Sequence, residues 1–368
     1  MQILVTGAQG FIGKNLLVHI NERENFSKLT YSRENSVEEL QSLVDQADAV
    51  IHLAGENRPK DISSFDEVNA GLTQSLCSAI RSTGRKIPLV LASSIQADQD
   101  NPYGKSKLAA EESVITLAEE IENPVYIYRL PNVFGKWCKP NYNSVVATFC
   151  YNISHDIPIQ INDPTTPLRL VYVDDVIEEF LGAIQYESNG ITRPKVQPEY
   201  SITLGELADQ IKAFKNCRNS LLSESVGEGL TRALYATYVS YFDPQQFSYP
   251  LAQHGDERGV FVEMLKTKDS GQFSFFTAHS GITRGGHYHH TKTEKFLVIK
   301  GRARFGFRHV VTDETYEIVT SGDQPQVVDT VPGWTHDITN IGDEEMVVML
   351  WANENFDRDR PDTVAAQV

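Results

Sequence analysis

Two folds in tandem are predicted by this 368-residue sequence: an α/β domain with a doubly wound parallel sheet, then an all-β domain of short antiparallel strands. Three observations predict them. Strand-like and helix-like runs alternate from Met1 to about residue 220, the pattern of a parallel sheet covered by helices on both faces. A glycine turn, VTGAQGFIG, joins the first strand to the first helix. From about residue 240, helical periodicity gives way to two-residue alternation broken by Gly, Asp and Asn.

The elements follow in order. QILVTG is an apolar run ending in glycine, and FIGKNLLVHINER continues with apolar residues at helical spacing. KLTYS reads as a second strand, VEELQSLVDQ as a helix and DAVIHLAG as a buried strand. VNAGLTQSLCSAIRSTG is a helix closed by Gly84, and IPLVLASS is another buried strand. YGKSKLAAEESVITLAEEI is a long helix, followed by VYIYRLPNVFG. In the second half, GVFVEMLKT, GQFSFFTAHS, EKFLVIKGRARFGFRH, TYEIVTSG and EEMVVMLWANENF read as strands of an antiparallel sandwich or barrel. The texture changes near SYFDPQQF, so the expected domains are residues 1–242 and 243–368. The last stretch, DRDRPDTVAAQV, is expected to fray.

Composition excludes several classes. With 40% hydrophobic and 22% charged residues the chain can bury ordinary cores. A net charge of −16 argues against nucleic acid as a partner. Cys77, Cys138, Cys150 and Cys217 are scattered without a C-x-x-C pair, which suits reduced thiols rather than a disulfide framework. No apolar run reaches the roughly 18 residues of a membrane span. MQILVTG runs straight into a strand, with no signal peptide, so a cytoplasmic enzyme without a membrane partner is expected.

The first chemistry lies in the α/β half. Gly7, Gly10 and Gly13 sit between a strand and a helix, where a tight turn and close approach to a pyrophosphate require glycine. NPYGKSK places Tyr103 and Lys107 one helical turn apart on one face. A neighbouring ammonium stabilises a phenolate and is expected to lower the tyrosine pKa. Ser94 ends the strand LVLASS, at the carboxyl edge of the sheet. After the second strand, Ser32 and Arg33 can bind a 2′-phosphate, although Glu34 follows them; NADPH is therefore favoured over NADH.

TGAQGFIG, DAVIHLAG, SS…YGKSK and RLPNVFG, over roughly residues 1–240, resemble the extended short-chain dehydrogenase/reductase family, a Rossmann-type fold. The resemblance implies that Tyr103 protonates the forming alkoxide, that Lys107 tunes Tyr103 and holds the nicotinamide ribose, and that Ser94 binds the substrate carbonyl. It places Gly7, Gly10, Phe11, Ile12, Gly13, Ser32, Arg33, Leu53, Ala54, Gly55 and Asn69 around the cofactor, with Tyr103 and Lys107. Asn132 and Arg169 would meet the substrate, a nucleotide-activated sugar. Only eight residues separate Ser94 from Tyr103, shorter than is usual for this family.

The second chemistry lies in GITRGGHYHHTKTEKFLVIKG. Alternation puts His287 and His289 on one strand face, and with Glu294 they suit a borderline cation such as zinc or iron. VPGWTHDITN offers His336 as a fourth ligand, while His290 points the other way. The spacing resembles the first motif of the cupins, small jelly-roll proteins, and PGWTHDITN a divergent second motif. DERGVFVEMLK followed by TRGGHYH is also similar to the 4-keto-6-deoxysugar epimerases, in which the residue matching His287 is a base. That similarity implies that Arg258 and Arg284 face the nucleotide phosphates. A ligated imidazole cannot also abstract a proton, so His287 is one or the other; the ligand role is favoured, with Glu263 and Tyr288 as remaining candidates for the base.

Together the halves resemble the bifunctional CapF/WbjC-type enzymes of bacterial capsule and O-antigen synthesis across essentially the whole chain. That resemblance implies epimerisation at C3 of UDP-2-acetamido-2,6-dideoxy-β-L-arabino-hexos-4-ulose in the cupin half. The reductase half would then reduce the C4 ketone with NADPH to UDP-2-acetamido-2,6-dideoxy-β-L-talose, on the way to N-acetyl-L-fucosamine. A homodimer is expected. The alternative is a reductase alone, whose cupin is a structural, dimerisation or sugar-binding module.

Overall fold

The structure is a computed structural model that describes residues 1–56, 66–186, 190–252, 254–256, 259–261, 265–267, 272–354 and 359–368. It forms two compact units, Met1–Ser144 with Leu168–Ser201, and Val145–Pro167 with Ile202–Val368.

In the first unit, strands β1 (Gln2–Thr6), β2 (Ser27–Tyr31), β3 (Ala49–His52), β4 (Leu89–Ser94) and β5 (Val125–Leu130) form a sheet in the order β2-β1-β3-β4-β5. A short sixth strand, Ile191–Thr192, lies beside β5. All neighbouring pairs are parallel. The order reverses beside β1, and that reversal opens a crevice at the carboxyl ends of the strands. Ile3, Leu4 and Val5 are fully buried, as expected of a strand covered on both faces.

Helices α1 (Phe11–Asn21), α2 (Val37–Gln46), α3 (Leu72–Thr83) and α4 (Pro102–Ile121) fall where the periodicity put them. Ser36 and Glu39 form a capping box at the start of α2. Gly84 ends α3 in the left-handed conformation, φ 67°. Leu40, Val44, Leu76, Ile80, Val114 and Leu117 pack against Leu4, Val50, Leu89 and Leu91 of the sheet in one core. Each such side chain contributes roughly 1.5–3 kcal/mol on burial.

The second unit carries two five-stranded sheets. One runs Ser248–Pro250, Gln326–Asp329, Glu294–Lys300, Met346–Ala352, Gln272–Ala278. The other runs Thr315–Ser321, Arg302–His309, Trp334–Asn340, Thr283–Tyr288, Val364–Ala365. Pairing is antiparallel throughout. Gly301, at φ 84°, turns the chain from Glu294–Lys300 into Arg302–His309 and so from one sheet to the other. Helices Val145–Ser154, Leu204–Ser220 and Gly229–Val239 belong to the same unit. Arg218 of the second helix and Lys295 both pair with the buried Asp329 carboxylate.

The expectation that the carboxy terminus frays is overturned within its described part, residues 359–368. Val364 and Ala365 pair with Tyr288 and His287, and the Ala366 amide donates to the Gly286 carbonyl at 3.0 Å. An open strand edge at Thr283–Tyr288 is available to this terminus and holds it by main-chain pairing. All four cysteines are free thiols. Among the described residues, no helix is long and apolar enough to cross a membrane.

Candidate active sites

The glycine turn is built for close approach. Gly7 lies at φ 70°, and a Cβ there would stand 2.7 Å from the Ala54 nitrogen. A Cβ on Gly13 would stand 2.3 Å from the Gly7 carbonyl oxygen. The turn therefore packs between α1 and the segment after β3, with Leu53 and Ala54 against it, while a Cβ on Gly55 would stand 2.9 Å from Asn69 Oδ1 and 3.1 Å from Lys107 Nζ. Gly10 donates to Gly7 at 2.9 Å and opens α1, with Phe11 and Ile12 in its first turn. Among the described residues, no side chain caps that end, and no acidic residue lies in the first turn. Free helix amides beside a glycine turn fit a pyrophosphate.

Buried polar groups fix the crevice wall. Thr6 Oγ1 lies 2.6 Å from His52 Nδ1, and His52 Nε2 lies 2.9 Å from Thr73 Oγ1. Burial, then the nearby Lys107 charge, drives the His52 pKa to about 3, so the ring is neutral. Asn69 is spent on the protein itself. Its Oδ1 accepts from the Glu56 amide at 2.8 Å, and its Nδ2 donates to Ser106 Oγ at 2.9 Å. Ser32 follows β2, and its amide donates to Asn35 Oδ1. The Arg33 guanidinium is 80% exposed and lies 3.6 Å from the Glu56 carboxylate.

Ser94, Tyr103 and Lys107 come together at the carboxyl edge. Tyr103 and Ser94 share a side-chain hydrogen bond. Lys107 Nζ donates to the Ala92 carbonyl at 3.1 Å and is buried; desolvation brings its pKa down to about 8. The expected lowering of the Tyr103 pKa is not what the structure gives. Burial raises it, and the Ser94 hydrogen bond offsets this only in part. The short connection from Ser94 is closed by a 3₁₀ turn, Ile95–Asp98, and by Asn101, whose side chain caps α4. A Cβ on Gly104 would lie 2.4 Å from the carbonyl oxygens of both Gln96 and Gln99, so glycine lets this connection lie on the helix.

Beneath the trio lies a network that sequence reasoning missed. Glu111 is 1% exposed and accepts from Ser93 Oγ and from Arg129 Nε, the latter at 2.9 Å. Arg129 also reaches Asp98 in the short connection at 2.6 Å. The available signal was a Lys107–Glu111 step on the face of α4 that also carries Ala110, Val114 and Leu117.

The sugar-side residues are partly engaged. The strands Asn132–Phe134 and Pro167–Tyr172 pair in parallel, which brings Asn132 Nδ2 within 3.1 Å of the Arg169 carbonyl. The Arg169 guanidinium is bound to Glu199, with one bond of 2.9 Å. Arg258 and Glu263 lie outside the described residues.

In the second unit, the ligand atoms of His287, His289, Glu294 and His336 all lie within 4.8 Å of one another. His289 Nε2 stands 3.2 Å, and His336 Nε2 3.6 Å, from Glu294 Oε2. The other carboxylate oxygen pairs with Lys292 Nζ at 2.7 Å. Among the described residues, both ring nitrogens of His336 are buried without a hydrogen-bond partner, a cost that a cation would remove. Burial, then the neighbouring His336 and His289, lower the His287 pKa to about 4. Burial opposes ionisation of Glu294, but the His289 and His336 rings beside it hold its pKa well below the usual value. Three imidazoles and one carboxylate fit a borderline divalent cation such as zinc. The cluster opens into a cavity of about 250 Å³ lined also by Phe276, Arg284 and Phe305. Arg284 stacks on Phe276, 5.1 Å from the ring centre, and donates to the Thr277 carbonyl. Tyr288 and His290 are on the alternate face, their rings 5.6 Å apart.

The fold and the first site define a Rossmann-type enzyme with a Ser-Tyr-Lys centre, joined to an all-β unit with a His₃Glu cluster. Residues 3–196 match the NAD dependent epimerase/dehydratase family, and residues 254–364 the polysaccharide biosynthesis C-terminal domain. The chain belongs to that epimerase/dehydratase family, in the two-part form that CapF shares along its full length. It is 57% identical over all 368 residues to a UDP-2-acetamido-2,6-beta-L-arabino-hexul-4-ose reductase of Pseudomonas aeruginosa, covering 99% of that protein. The crystal structure of the capsular polysaccharide assembling protein CapF from Staphylococcus aureus is similar, with 45% identity, full coverage of both chains and a TM-score of 0.68. A Bacillus cereus UDP-glucuronic acid 4-epimerase, 19% identical over 59% of this chain and 84% of its own, shares the fold at a TM-score of 0.52.

Proposed function

We propose that the chain is a bifunctional sugar-nucleotide enzyme. Its cupin half, residues 243–368, epimerises C3 of UDP-2-acetamido-2,6-dideoxy-β-L-arabino-hexos-4-ulose. Its reductase half, residues 1–242, then reduces the C4 ketone with NADPH to the 6-deoxy-talose product, for capsule or O-antigen N-acetyl-L-fucosamine. The observation that carries the reductase reading is the Ser94–Tyr103 hydrogen bond beside the glycine turn, with Lys107 buried next to it. The full-length relative supports the substrate class. Gly7–Gly13 and Leu53–Gly55 would hold the nicotinamide cofactor, which would supply the hydride when bound. Ser94 donates to the C4 carbonyl oxygen, and Tyr103 passes its proton to that oxygen as the alkoxide forms. Lys107 keeps positive charge beside the ribose and stabilises the phenolate left behind. Arg33 takes the 2′-phosphate, and Arg169 leaves Glu199 for the pyrophosphate.

For the cupin half, the His₃Glu cluster opening into a cavity carries the reading. His287, His289, Glu294 and His336 would hold a cation, which would supply Lewis acidity when bound. Arg284, at the cavity, orients the nucleotide phosphates. The C3 proton is acidic only while the C4 ketone exists, so epimerisation precedes reduction. We place the enzyme in the cytoplasm as a homodimer. The test is product analysis by NMR on the keto-sugar in D₂O, with and without NADPH. Deuterium at C3 without NADPH and a C4 alcohol with it are expected. Reduction with no exchange above the enzyme-free rate would leave only a reductase with a sugar-binding or structural β domain.

A further inference from the structure

We propose that Asp362 is a positioning residue for the cation cluster, and that the carboxy-terminal segment is thereby part of the site. The inference rests on the metal reading of His287, His289, Glu294 and His336, and extends it to a residue that donates no ligand atom.

The loop His290–Thr293 runs between two donors, His289 and Glu294. Three successive amides of that loop converge on one carboxylate. His290 N donates to Asp362 Oδ1 at 2.9 Å; Thr291 N and Lys292 N both donate to Oδ2 at 2.7 Å. Thr291 Oγ1 adds a fourth bond at 3.0 Å. The same residue also acts through its main chain: the Asp362 carbonyl accepts from His289 Nδ1. A carbonyl only accepts, so Nδ1 carries the proton and Nε2 is the nitrogen aimed at the cluster. A hydrogen bond of this kind fixes the orientation and basicity of a metal-binding imidazole.

The segment is anchored on both sides of Asp362. Val364 and Ala365 pair with Tyr288 and His287, and Thr363 lines the cavity. Thr291 is also held from the opposite side by Arg232 of the helix Gly229–Val239. One residue therefore sets the spacing between two ligands and the ring orientation of one of them. The carboxylate does this by charge-assisted bonds, which are about twice as strong as neutral ones.

The test uses the full chain, stripped with a chelator and reloaded with Zn²⁺ alone. Zinc affinity and the rate of zinc transfer to a chromophoric chelator are measured for wild type, Asp362→Asn, Thr291→Val and a chain ending at Arg360. Asp362→Asn keeps the side-chain shape but turns an amide group toward backbone donors. It is expected to weaken zinc binding by about 10–100-fold, the usual effect of an outer-shell loss. The melting temperature of the zinc-free variant should stay near that of zinc-free wild type. The shortened chain should lose at least as much affinity, and Thr291→Val less. Zinc binding by all variants within twofold of wild type overturns the proposal while leaving the metal reading intact. Failure of wild type itself to take up zinc overturns the metal reading and this proposal with it. If Asp362→Asn does not fold, Thr291→Val decides, since it deletes one hydroxyl bond and keeps the carboxylate.

Discussion

Replacing Glu111 by alanine probes the platform under the reductase site. The carboxylate is 1% exposed and bonds to Ser93 and Arg129. Breaking a buried ion pair costs about 3–5 kcal/mol when the remaining charge is stranded. Arg129 is not fully stranded, because its side chain is 31% exposed and it keeps Asp98 at 2.6 Å. Water and that second partner recover part of the cost, and an exposed pair of this kind contributes at most about 1 kcal/mol. Ser93, 5% exposed, loses its acceptor at roughly 1 kcal/mol more. The net expectation is about 2–4 kcal/mol. Removing both charges, Glu111→Leu with Arg129→Met, should cost less than the two single changes added together. The assay is the first urea transition followed by circular dichroism, with C4 reduction measured beside it. Reduction should fall with Glu111→Ala even below the transition, because Ser94 follows Ser93 in β4. A loss under about 1 kcal/mol, or strict additivity in the double variant, would refute the reasoning.

Other outcomes follow from the same geometry. Tyr103→Phe keeps the ring and removes the proton donor; C4 reduction should fall about 10²–10⁴-fold while NADPH binding, followed by fluorescence, changes little. Reduction at the wild-type rate would remove Tyr103 from its role. Arg33→Ala should raise KM for NADPH and leave KM for NADH nearly unchanged; equal effects on both would place the 2′-phosphate elsewhere. Burial pulls the His19 pKa down, but hydrogen bonds to Asp174 and Glu178 outweigh it and raise the pKa above 6.5. The His19 hydrogen bond in turn helps lower Glu178 from 4.5 to about 2. The histidine term is present below its unfolded value and lost as pH rises; the glutamate term is lost as pH falls toward the folded value. His19→Gln should therefore destabilise more at about pH 5.5 than at about pH 9 in urea unfolding.

What could be read from the sequence was local or periodic. The helices Val37–Gln46 and Pro102–Ile121 and the turn at Gly84 follow from spacing, caps and the left-handed tolerance of glycine. The four His and Glu residues were legible because two lie at strand spacing and a third donor follows closely; His336 needed a motif. The Glu111–Arg129 pair and the Asp362 clamp were not read. A polar residue's long-range partner leaves no periodic trace, and Glu111 looks like one more charge on a helix rich in them. The tail failed as a prediction for the same reason. A short polar stretch carries little apolar signal, yet main-chain pairing to Tyr288 and His287 needs none.

The Tyr103 correction bears on the direction of the reaction. A tyrosine that oxidises an alcohol must start as phenolate, and a lowered pKa serves that direction. A tyrosine that completes a ketone reduction must arrive with its proton, and burial keeps Tyr103 protonated at neutral pH. Lys107, near 8, still carries most of its charge there, so the phenolate formed after proton transfer meets a cation one helical turn away. That arrangement favours the product side of proton donation without making the resting phenol a base. It also fits the proposed order of the two steps. In the proposed sequence, once hydride has reached C4 and Tyr103 has protonated its oxygen, the ketone is gone and the C3 proton is no longer acidic, so a stereocentre set beforehand in the cupin half would stay fixed. An oxidising short-chain enzyme built on the same Ser-Tyr-Lys trio would need its phenol shifted in the opposite direction, which makes the sign of the Tyr103 shift, measured by tyrosinate absorbance against Tyr103→Phe, a direct test. A Tyr103 pKa below the ordinary value near 10 in the cofactor-free protein would overturn this account of direction.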